Sequence, residues 1–555
     1  MITTLLLGAA VAVGQTRDPQ TGNRPAAKSI VAGTPTPEVR IDSGAIRGLV
    51  VGDKKDVHAY KGIPYAAPPV GERRWKPPQP VLAWQGVRDC FEFGAACPQK
   101  VPALFAGIPE MAIRAPFSED CLFLNIWTPA ERRSDKLPVL YWIHGGGFVM
   151  GAASQTLYDG EELARLGCVV VSINYRLGLF GFLAHPALSR ESEANVSGNY
   201  GLLDQIEGLR WVKRNISAFG GDPRRVTIFG ESAGGISVLC LMVAPQAKGL
   251  IHGAIAQSAT GMNLAPLREG HSGQETAEQA GQRFIAACGL GASVDAQQMR
   301  SLSPKVLVQG GPAEPGPGAP LRLKPLSLMV GPIVDRRIIP DSPNLLFAAG
   351  RQHAVPMIVG NTKDEMSLFV LGSPMPADHS AYLTKLKDDF GDLADPIAQA
   401  YPGQDAKQIR SAVIQLTSDL SFVSESRYIA RTQSAAGQRV FRYQFSRGTK
   451  RGFLQSLGAH HGAEIAFLFQ RSGSRDEDEK RISQSMGRYW INFAAAGDPN
   501  GQDLPKWPAY RMGAEEVLDF ADNIHVLKAP RNDQLDLIEK VLRETGNTDT
   551  RKTQR

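Results

Sequence analysis

The sequence has few cysteines, short basic runs and no long apolar run after its N-terminus. It has 6 cysteines in 555 residues, too few for a fold built on disulfides. Lys and Arg number 61 against 55 Asp and Glu, a net charge of +6. The basic runs are short, which argues against nucleic acid as a partner. No apolar run after the N-terminus has the length of about 20 residues that a membrane helix needs. With 43% hydrophobic residues, the composition predicts a soluble globular protein without stable membrane insertion.

The N-terminus resembles a targeting segment. Residues 1–14 are apolar and end in small residues, which is typical of a secretory signal peptide. No Lys or Arg precedes them, which departs from that pattern, and an apolar N-terminus without a targeting role is the alternative. Residues 15–35 are polar and aperiodic and predict a disordered leader, and residues 546–555 predict a flexible tail. We therefore expect a secreted or periplasmic protein, with a cytoplasmic one as the alternative.

Strands and helices alternate along residues 36–545. Apolar periodicity at steps of three and four residues predicts a helix over 202–216, and a hairpin is predicted over 38–51 at the start of the sheet. Residues 310–320 are rich in Pro and Gly and predict an exposed loop. Runs that are apolar on both faces predict strands of a parallel sheet at 139–143, 169–173, 226–229, 254–256, 357–359 and 440–445. The order predicts a single α/β domain with insertions, in which helices flank a large, mostly parallel central sheet.

One motif indicates a nucleophile. Residues 230–234 read Gly-Glu-Ser-Ala-Gly and lie between the strand at 226–229 and a helical run at 236–242. Gly-x-Ser-x-Gly in that context is the nucleophile elbow of the α/β-hydrolase fold. The tight turn leaves no room for bulk beside Ser232, and the helix N-terminus favours negative charge there. An incidental serine in a glycine-rich turn is the alternative, which the flanking strand and helix disfavour.

A glycine run follows the strand at 139–143. Residues 144–148 read His-Gly-Gly-Gly-Phe, and glycines leave backbone N–H groups unshielded, so that these can point at an oxygen that becomes negative. Together with the N–H of Ala233, this run predicts the oxyanion hole of an esterase. A phosphate-binding loop is the rival interpretation, but the Gly-Lys-Ser/Thr ending is missing. We expect His144 to support the loop rather than act as a base.

The acid and the base of a triad should follow the nucleophile in this fold. Residues 361–365 (Asn-Thr-Lys-Asp-Glu) and 458–462 (Gly-Ala-His-His-Gly) follow predicted strands, at the sheet edge that carries sites. Position alone does not decide whether the acid is Asp364 or Glu365. It also does not decide whether the base is His460 or His461. No carboxylate spacing of the zinc type accompanies the two histidines, so no metal is predicted.

At this point the chain resembles the type-B carboxylesterases, which include carboxylesterases, bile-salt lipases and cholinesterases. The matching segments, in order, are residues 60–66, 118–125, 144–148, 174–176, 199–205, 230–235 and 493–500. The likeness spans about residues 36 to 530. It implies an α/β-hydrolase fold and ester hydrolysis of a small-molecule ester, without a cofactor, by a monomer or homodimer.

The resemblance also assigns roles to residues. In that family the acid is the Glu of an Asp-Glu pair and the base is the His of a His-Gly-x-Glu segment, which implies Glu365 and His461 beside Ser232. The oxyanion donors implied are Gly146, Gly147 and Ala233. Ser258 resembles the family's supporting serine near the triad, although a hydroxyl at a strand end is an equal alternative.

Two further contacts follow from the resemblance. It implies a disulfide between Cys97 and Cys121, for which Cys90 is a competing partner. It also implies a partly buried ion pair between Arg74 and Glu119, in which Arg73 is the alternative cation.

The substrate pocket is predicted from the same likeness. Where cholinesterases carry aromatic residues that hold an ammonium group, this chain has Met111 and Leu368, with Phe369 adjacent. Phe148 and Glu231 complete the predicted pocket. An apolar wall favours a neutral ester of small to medium size over a choline ester. An interfacial lipase with residues 99–117 as its lid is the alternative. A non-catalytic adhesion relative is disfavoured because the nucleophile is retained.

Overall fold

The fold was described from a computed structural model. It describes residues 33–544 apart from 103–104, 106, 260–263, 270–274, 292, 311–320, 325–329, 449–452 and 472–475. The predicted signal peptide (1–14), nearly all of the predicted leader (15–35) and the predicted tail (546–555) lie outside the described residues, as does the predicted loop beyond residue 310.

Short and long strands alternate with helices along the described residues. The strands are β1 Thr34–Pro35, β2 Val39–Ile41, β3 Gly44–Arg47, β4 Leu49–Val51, β5 Val57–Pro64, β6 Val87–Asp89, β7 Phe123–Thr128, β8 Leu137–Ile143, β9 Val169–Ile173, β10 Gly221–Glu231, β11 Gly253–Gln257, β12 Ala265–Pro266, β13 Ile333–Val334, β14 Met357–Thr362, β15 Val440–Phe445, β16 Glu516–Phe520 and β17 Ile524–Lys528. The α-helices are α1 Glu161–Arg165, α2 Gly178–Phe182, α3 Pro186–Glu191, α4 Tyr200–Asn215, α5 Ala233–Val243, α6 Ala277–Ala287, α7 Ala296–Arg300, α8 Pro304–Gly310, α9 Pro343–Ala348, α10 His379–Phe390, α11 Ala394–Ala400, α12 Ala406–Ser418, α13 Ser424–Ala435, α14 Ile465–Leu468, α15 Glu477–Ala496 and α16 Asn532–Glu544.

Within the described part of the chain, twelve strands form one sheet in the order β1-β4-β5-β7-β9-β8-β10-β11-β14-β15-β16-β17. The run from β9 to β16 is parallel, and antiparallel strands close both edges. All five residues of β9 are buried, as expected for a strand that helices cover on both faces. The predicted mostly parallel central sheet is therefore confirmed.

The hairpin predicted over residues 38–51 forms, but it does not start the large sheet. Strands β2 and β3 pair antiparallel and join β6 in a separate three-stranded sheet, whereas β4 pairs with β5 in the large one. The chain changes sheets at Gly48. A Cβ there would lie 2.3 Å from the carbonyl oxygen of Ala59, so only glycine permits this close crossing.

The helix predicted over 202–216 is α4, Tyr200–Asn215, and its apolar face is buried. It continues into a 3₁₀ turn, Ile216–Phe219, which ends at Gly220 in the left-handed region, with φ 78°. Left-handed glycine is the usual way to end a helix, and here it turns the chain into β10. That strand carries the nucleophile motif at its far end.

Parallel pairing brings the candidate residues to one edge of the sheet. Strands β8, β10, β11, β14 and β15 are parallel neighbours, so their carboxyl ends meet. The glycine run follows β8, and Ser232 follows β10. The segments that carry Glu365 and His461 follow β14 and β15. This is the edge at which such sheets bind ligands.

The implied ion pair between Arg74 and Glu119 is confirmed. Nε of Arg74 donates to Oε2 of Glu119 at 2.7 Å, and the two side chains are 7% and 12% exposed. Arg74 also donates to the carbonyl oxygens of Arg300 and Leu302. The alternative cation, Arg73, is exposed. The pair therefore joins three distant segments.

The implied disulfide is not formed in this structure, where Cys97 and Cys121 are buried free thiols. A hydrogen bond between the two thiols and burial both raise the pKa of Cys121 well above its ordinary value. The N–H of Leu177 donates to the sulfur of Cys97 at 3.3 Å. Both thiols are buried, and that of Cys97 acts on that of Cys121.

Candidate active site

Ser232 occupies a strained turn between β10 and α5. Its backbone has φ 58° and ψ −123°, a region that non-glycine residues rarely adopt. The N–H of Ser232 donates to the carbonyl oxygen of Gln257 at 3.0 Å. A Cβ on Gly234 would lie 2.0 Å from the carbonyl oxygen of Ile143. The elbow therefore has the backbone that its sequence predicts, because glycine lets α5 approach β8 so closely.

The glycine run forms a tight loop beside the elbow. Gly146, Gly147 and Phe148 have φ values of 103°, 59° and 62°. The N–H groups of Gly146, Gly147 and Ala233 have no hydrogen-bond partner within the described residues. Unpaired N–H groups beside a helix N-terminus suit a developing negative oxygen.

His144 supports this loop. It is 1% exposed, its ring stacks on Tyr175 at 4.5 Å, and Tyr175 donates its hydroxyl to the carbonyl oxygen of His144. Burial lowers the pKa of His144 to about 4, so its imidazole is neutral at physiological pH. The ring lies within the loop, as expected for a structural residue.

The structure distinguishes between the two candidate acids. Glu365 is fully buried, and its Oε2 lies 2.6 Å from Nδ1 of His461. Its Oε1 accepts from the hydroxyl of Ser258 at 2.6 Å and from the N–H of Thr362 at 2.7 Å. Asp364 instead accepts the N–H of Ala459 at 3.0 Å. The carboxylate that meets an imidazole is therefore that of Glu365.

The two histidines are likewise distinguished. Nδ1 of His460 lies 2.9 Å from the carbonyl oxygen of His461, a local backbone contact. Nε2 of His461 faces Oε1 of Glu231 at 3.1 Å. Within the described residues the hydroxyl of Ser232 makes no hydrogen bond. The structure thus brings Glu365 and His461 into contact at the elbow and leaves the Ser232 hydroxyl free.

Three carboxyl groups surround this imidazole. Burial lowers the pKa of His461, but the facing charges of Glu231 and Glu365 outweigh burial and raise it to about 9. Burial raises the pKa of Glu231 to about 8 and that of Glu464 to about 7. The cluster therefore favours the protonated imidazole, which is the state that a base reaches after it accepts a proton.

Sequence reasoning missed several residues of the site. The amide of Gln257 donates to Oε1 of Glu464 at 3.1 Å, and the charge of Glu464 acts on His461. Glu464 ends the His-Gly-x-Glu segment, so the sequence held a signal for it. The ring of Phe422 packs on His461 at 4.9 Å, and nothing in the sequence pattern marks this residue. Gln99 exchanges two hydrogen bonds with the backbone of Gly151.

The predicted pocket residues have different surroundings. Phe369 packs on the ring of His461 at 5.1 Å, and Leu368 next to it is half-buried. Met111 is half-buried, and its carbonyl oxygen accepts from Gln155. Phe148 is fully buried and packs edge-to-face on Phe182, and its place in the substrate pocket stays a prediction.

Two findings concern what the described residues do not contain. They hold no group of three His, Cys, Asp or Glu side chains arranged to hold a metal ion. No described helix is both long and apolar enough to cross a membrane.

Comparisons with known proteins place the chain in a class. Residues 35–538 match the model of the Carboxylesterase family. The chain is 34% identical to the para-nitrobenzyl esterase of Bacillus subtilis over 505 residues, covering 88% of this chain and 96% of that one. It is also 34% identical to the fumonisin B1 esterase of Sphingopyxis macrogoltabida over 497 residues, 87% and 86% of the two chains. The chain belongs to the carboxylesterase family.

Solved structures agree with this placement. A PNB esterase structure is 32% identical, with a TM-score of 0.74, and the match covers 90% of this chain and 99% of that one. A thermophilic PNB esterase is 30% identical, with a TM-score of 0.73 and the same coverage. The protein has the α/β-hydrolase fold and is a carboxylesterase of type B.

Proposed function

We propose that the protein hydrolyses neutral carboxylic esters of small to medium size through an acyl-serine intermediate, with Ser232 as nucleophile, His461 as base and Glu365 as the acid that orients it. One observation carries this proposal. The Nδ1 atom of His461 lies 2.6 Å from a fully buried carboxylate, which fixes the ring so that Nε2 points to the elbow.

The chemistry follows from these parts. A serine hydroxyl attacks an ester carbonyl efficiently only when a base removes its proton. Nε2 of His461 accepts that proton and later gives it to the leaving alcohol, while Glu365 stabilises the imidazolium. Water then releases the acid by the same route. During attack, Nε2 gives up its contact with Oε1 of Glu231 and accepts a hydrogen bond from the hydroxyl of Ser232 instead.

The oxyanion is stabilised by the backbone. The N–H groups of Gly146, Gly147 and Ala233 have no partner within the described residues, so they are available to the negative oxygen. Such donors matter because the glycine loop and the helix hold them in place before the reaction begins.

The substrate part of the proposal rests on apolar side chains. Phe369 lies against the base, and aliphatic residues occupy positions 111 and 368. The names of relatives, para-nitrobenzyl esterase among them, fit a small ester. We expect p-nitrophenyl esters of short to medium acids to be cleaved at least about tenfold more efficiently than butyrylthiocholine. Comparable kcat/KM values would refute this, and a preference for emulsified triglyceride over dissolved ester would favour an interfacial lipase.

Labelling with an organophosphate tests the nucleophile. The reagent should inactivate the enzyme at one equivalent, and mass spectrometry of the digest should find the adduct on Ser232. Ser232→Ala should take up no label and keep its melting temperature. A labelled residue elsewhere, or an active Ser232→Ala variant, would refute the proposal.

The proposal includes export to an oxidising compartment, on the strength of residues 1–14. There the neighbouring thiols of Cys97 and Cys121 would form a bridge that closes a loop and contributes about 3 kcal/mol in the chain-entropy account. Peptide mapping of protein from the oxidising compartment, without reductant, should find the two cysteines joined. Alkylated Cys97, or a Cys90–Cys121 bridge, would refute this pairing.

A further inference from the structure

An uncommon helical turn lies against the base. Helices α12 and α13 are continuous through a π-helical segment, Asp419–Val423, whose five residues are all buried. A π-turn fits one extra residue into the helix and often occurs at functional sites. It changes the direction in which its side chains point. Here that direction brings Phe422 to the imidazole of His461.

The turn contacts the base, and the residue just before the turn contacts the residue that follows the acid. The ring of Phe422 is 4.9 Å from that of His461 and tilted by 44°. Immediately before the turn, the hydroxyl of Ser418 accepts the N–H of Met366 at 3.0 Å. Met366 follows Glu365 in the chain. Residues 418–422 therefore contact the backbone beside the acid through Ser418 and the ring of the base through Phe422.

A buried charge fixes the turn. Asp419, its first residue, is fully buried, and its Oδ2 accepts from the hydroxyl of Tyr401 and from Nη1 of Arg531, both at 2.8 Å. Arg531 directly precedes α16, the last described helix. An uncompensated buried carboxylate is costly, so loss of the arginine should displace the segment that carries Asp419.

We propose that the π-helical turn holds the acid–base pair in its working geometry, with Asp419 and Phe422 as positioning residues and Arg531 as the residue that fixes Asp419. The C-terminal segment thereby influences turnover without touching substrate. The inference rests on the proposed roles of Glu365 and His461. Small displacements of a base are expensive because catalysis needs near-attack geometry.

Arg431 provides a matched control. Its side chain is 29% exposed, against 24% for Arg531, and it also fastens the C-terminal helix. It pairs with Glu515, Asp536 and Glu539 and, among the residues that the structure describes, forms no ion pair with Asp419. Arg431→Met therefore loosens the same helix without releasing the turn.

Steady-state kinetics on a p-nitrophenyl ester, with melting temperatures, test the inference. Arg531→Met and Phe422→Leu should lower kcat about ten- to a hundredfold, with KM changed by less than about twofold. Arg531→Lys, which keeps the charge, should retain at least about half of the wild-type kcat, and Arg431→Met should stay within about twofold of it.

Three results would overturn the inference. These are an unchanged kcat in Arg531→Met, an equal loss of kcat in Arg431→Met at a similar melting temperature, and a raised KM at constant kcat in Phe422→Leu.

If Phe422→Leu does not fold, the comparison of the arginine variants decides. Activity in His461→Ala would refute the proposed triad. An inactive His461→Ala beside a fully active Arg531→Met would refute the positioning role alone.

Discussion

The two halves of the site are held in different ways. The nucleophile half, with Ser232 and the glycine loop, is fixed by its backbone: it has positive φ angles, and at Gly146 and Gly234 the chain approaches other segments so closely that a Cβ would clash. The acid–base half depends on side-chain hydrogen bonds between distant segments. Glu365 and His461 are 96 residues apart, and Ser258 and Glu365 are 107 apart. In the nucleophile half, one added carbon atom should therefore cause a large loss of turnover. In the acid–base half, turnover should fall stepwise as individual hydrogen bonds are removed.

Among substitutions outside the triad, the largest effect is expected in the glycine loop. A Cβ on Gly146 would lie 2.2 Å from the carbonyl oxygen of Met150, at φ 103°, so Gly146→Ala should move the oxyanion donors. We expect kcat for a p-nitrophenyl ester to fall about 10²–10³-fold. Gly167 is the control, because it has φ 108° but nothing within 4 Å of an added Cβ. Gly167→Ala should lower the melting temperature without lowering kcat. An equal loss of kcat in Gly146→Ala and Gly167→Ala would contradict the account.

A smaller effect is expected on the acid side. Ser258→Ala removes one of the two donors to Oε1 of Glu365 and leaves the N–H of Thr362. A hydrogen bond to a charged group contributes about 1.5–3 kcal/mol, so kcat should fall by about tenfold to a hundredfold. Ser483 has an equally buried hydroxyl, bonded to the carbonyl oxygen of Phe467. Full activity in Ser258→Ala, or the same loss in Ser483→Ala, would show that this bond does not hold the acid.

The smallest effect concerns pH. The charge of Glu231 helps to raise the pKa of His461, and the reaction needs the unprotonated imidazole, so kcat/KM should rise with pH as His461 loses its proton. Glu231→Gln removes a facing charge and should move this acid limb to lower pH by about one unit. Glu464→Gln should move it less, because the charge of Glu464 acts on His461 more weakly than that of Glu231. A shift to higher pH would contradict the assignment.

The same cluster affects stability. The pKa of His461 in the folded protein, about 9, lies above the ordinary value of 6.5. Its contribution to the free energy of unfolding is therefore complete below pH 6.5 and is lost as the pH rises through about 9.

The sequence predicts the nucleophile half of the site better than the acid–base half. The glycine and serine motifs encode backbone geometry locally, so the elbow and the loop were predicted residue by residue. Spacing could not separate Asp364 from Glu365, because neighbouring residues differ in what they meet across the fold. The resemblance to known esterases supplied that choice, and the 2.6 Å contact with His461 agrees with it.

Other features lay beyond sequence patterns. Phe422 reaches the base from a π-turn, which no hydrophobic period indicates. Phe148 packs edge-to-face on Phe182. The hairpin of β2 and β3 joins β6 in a separate sheet, and at Gly48 the chain passes close to the carbonyl oxygen of Ala59. Each depends on a contact between segments far apart in the chain.

The central claim is tested most directly by two pairs of neighbouring substitutions measured on one p-nitrophenyl ester. Because triad residues act as a unit, His461→Ala should lower kcat by about 10⁴–10⁶ and Glu365→Gln by about 10⁴, while His460→Ala and Asp364→Asn should lose less than about tenfold. An active His461→Ala with an inactive His460→Ala, or the same reversal for Glu365 and Asp364, would contradict the account.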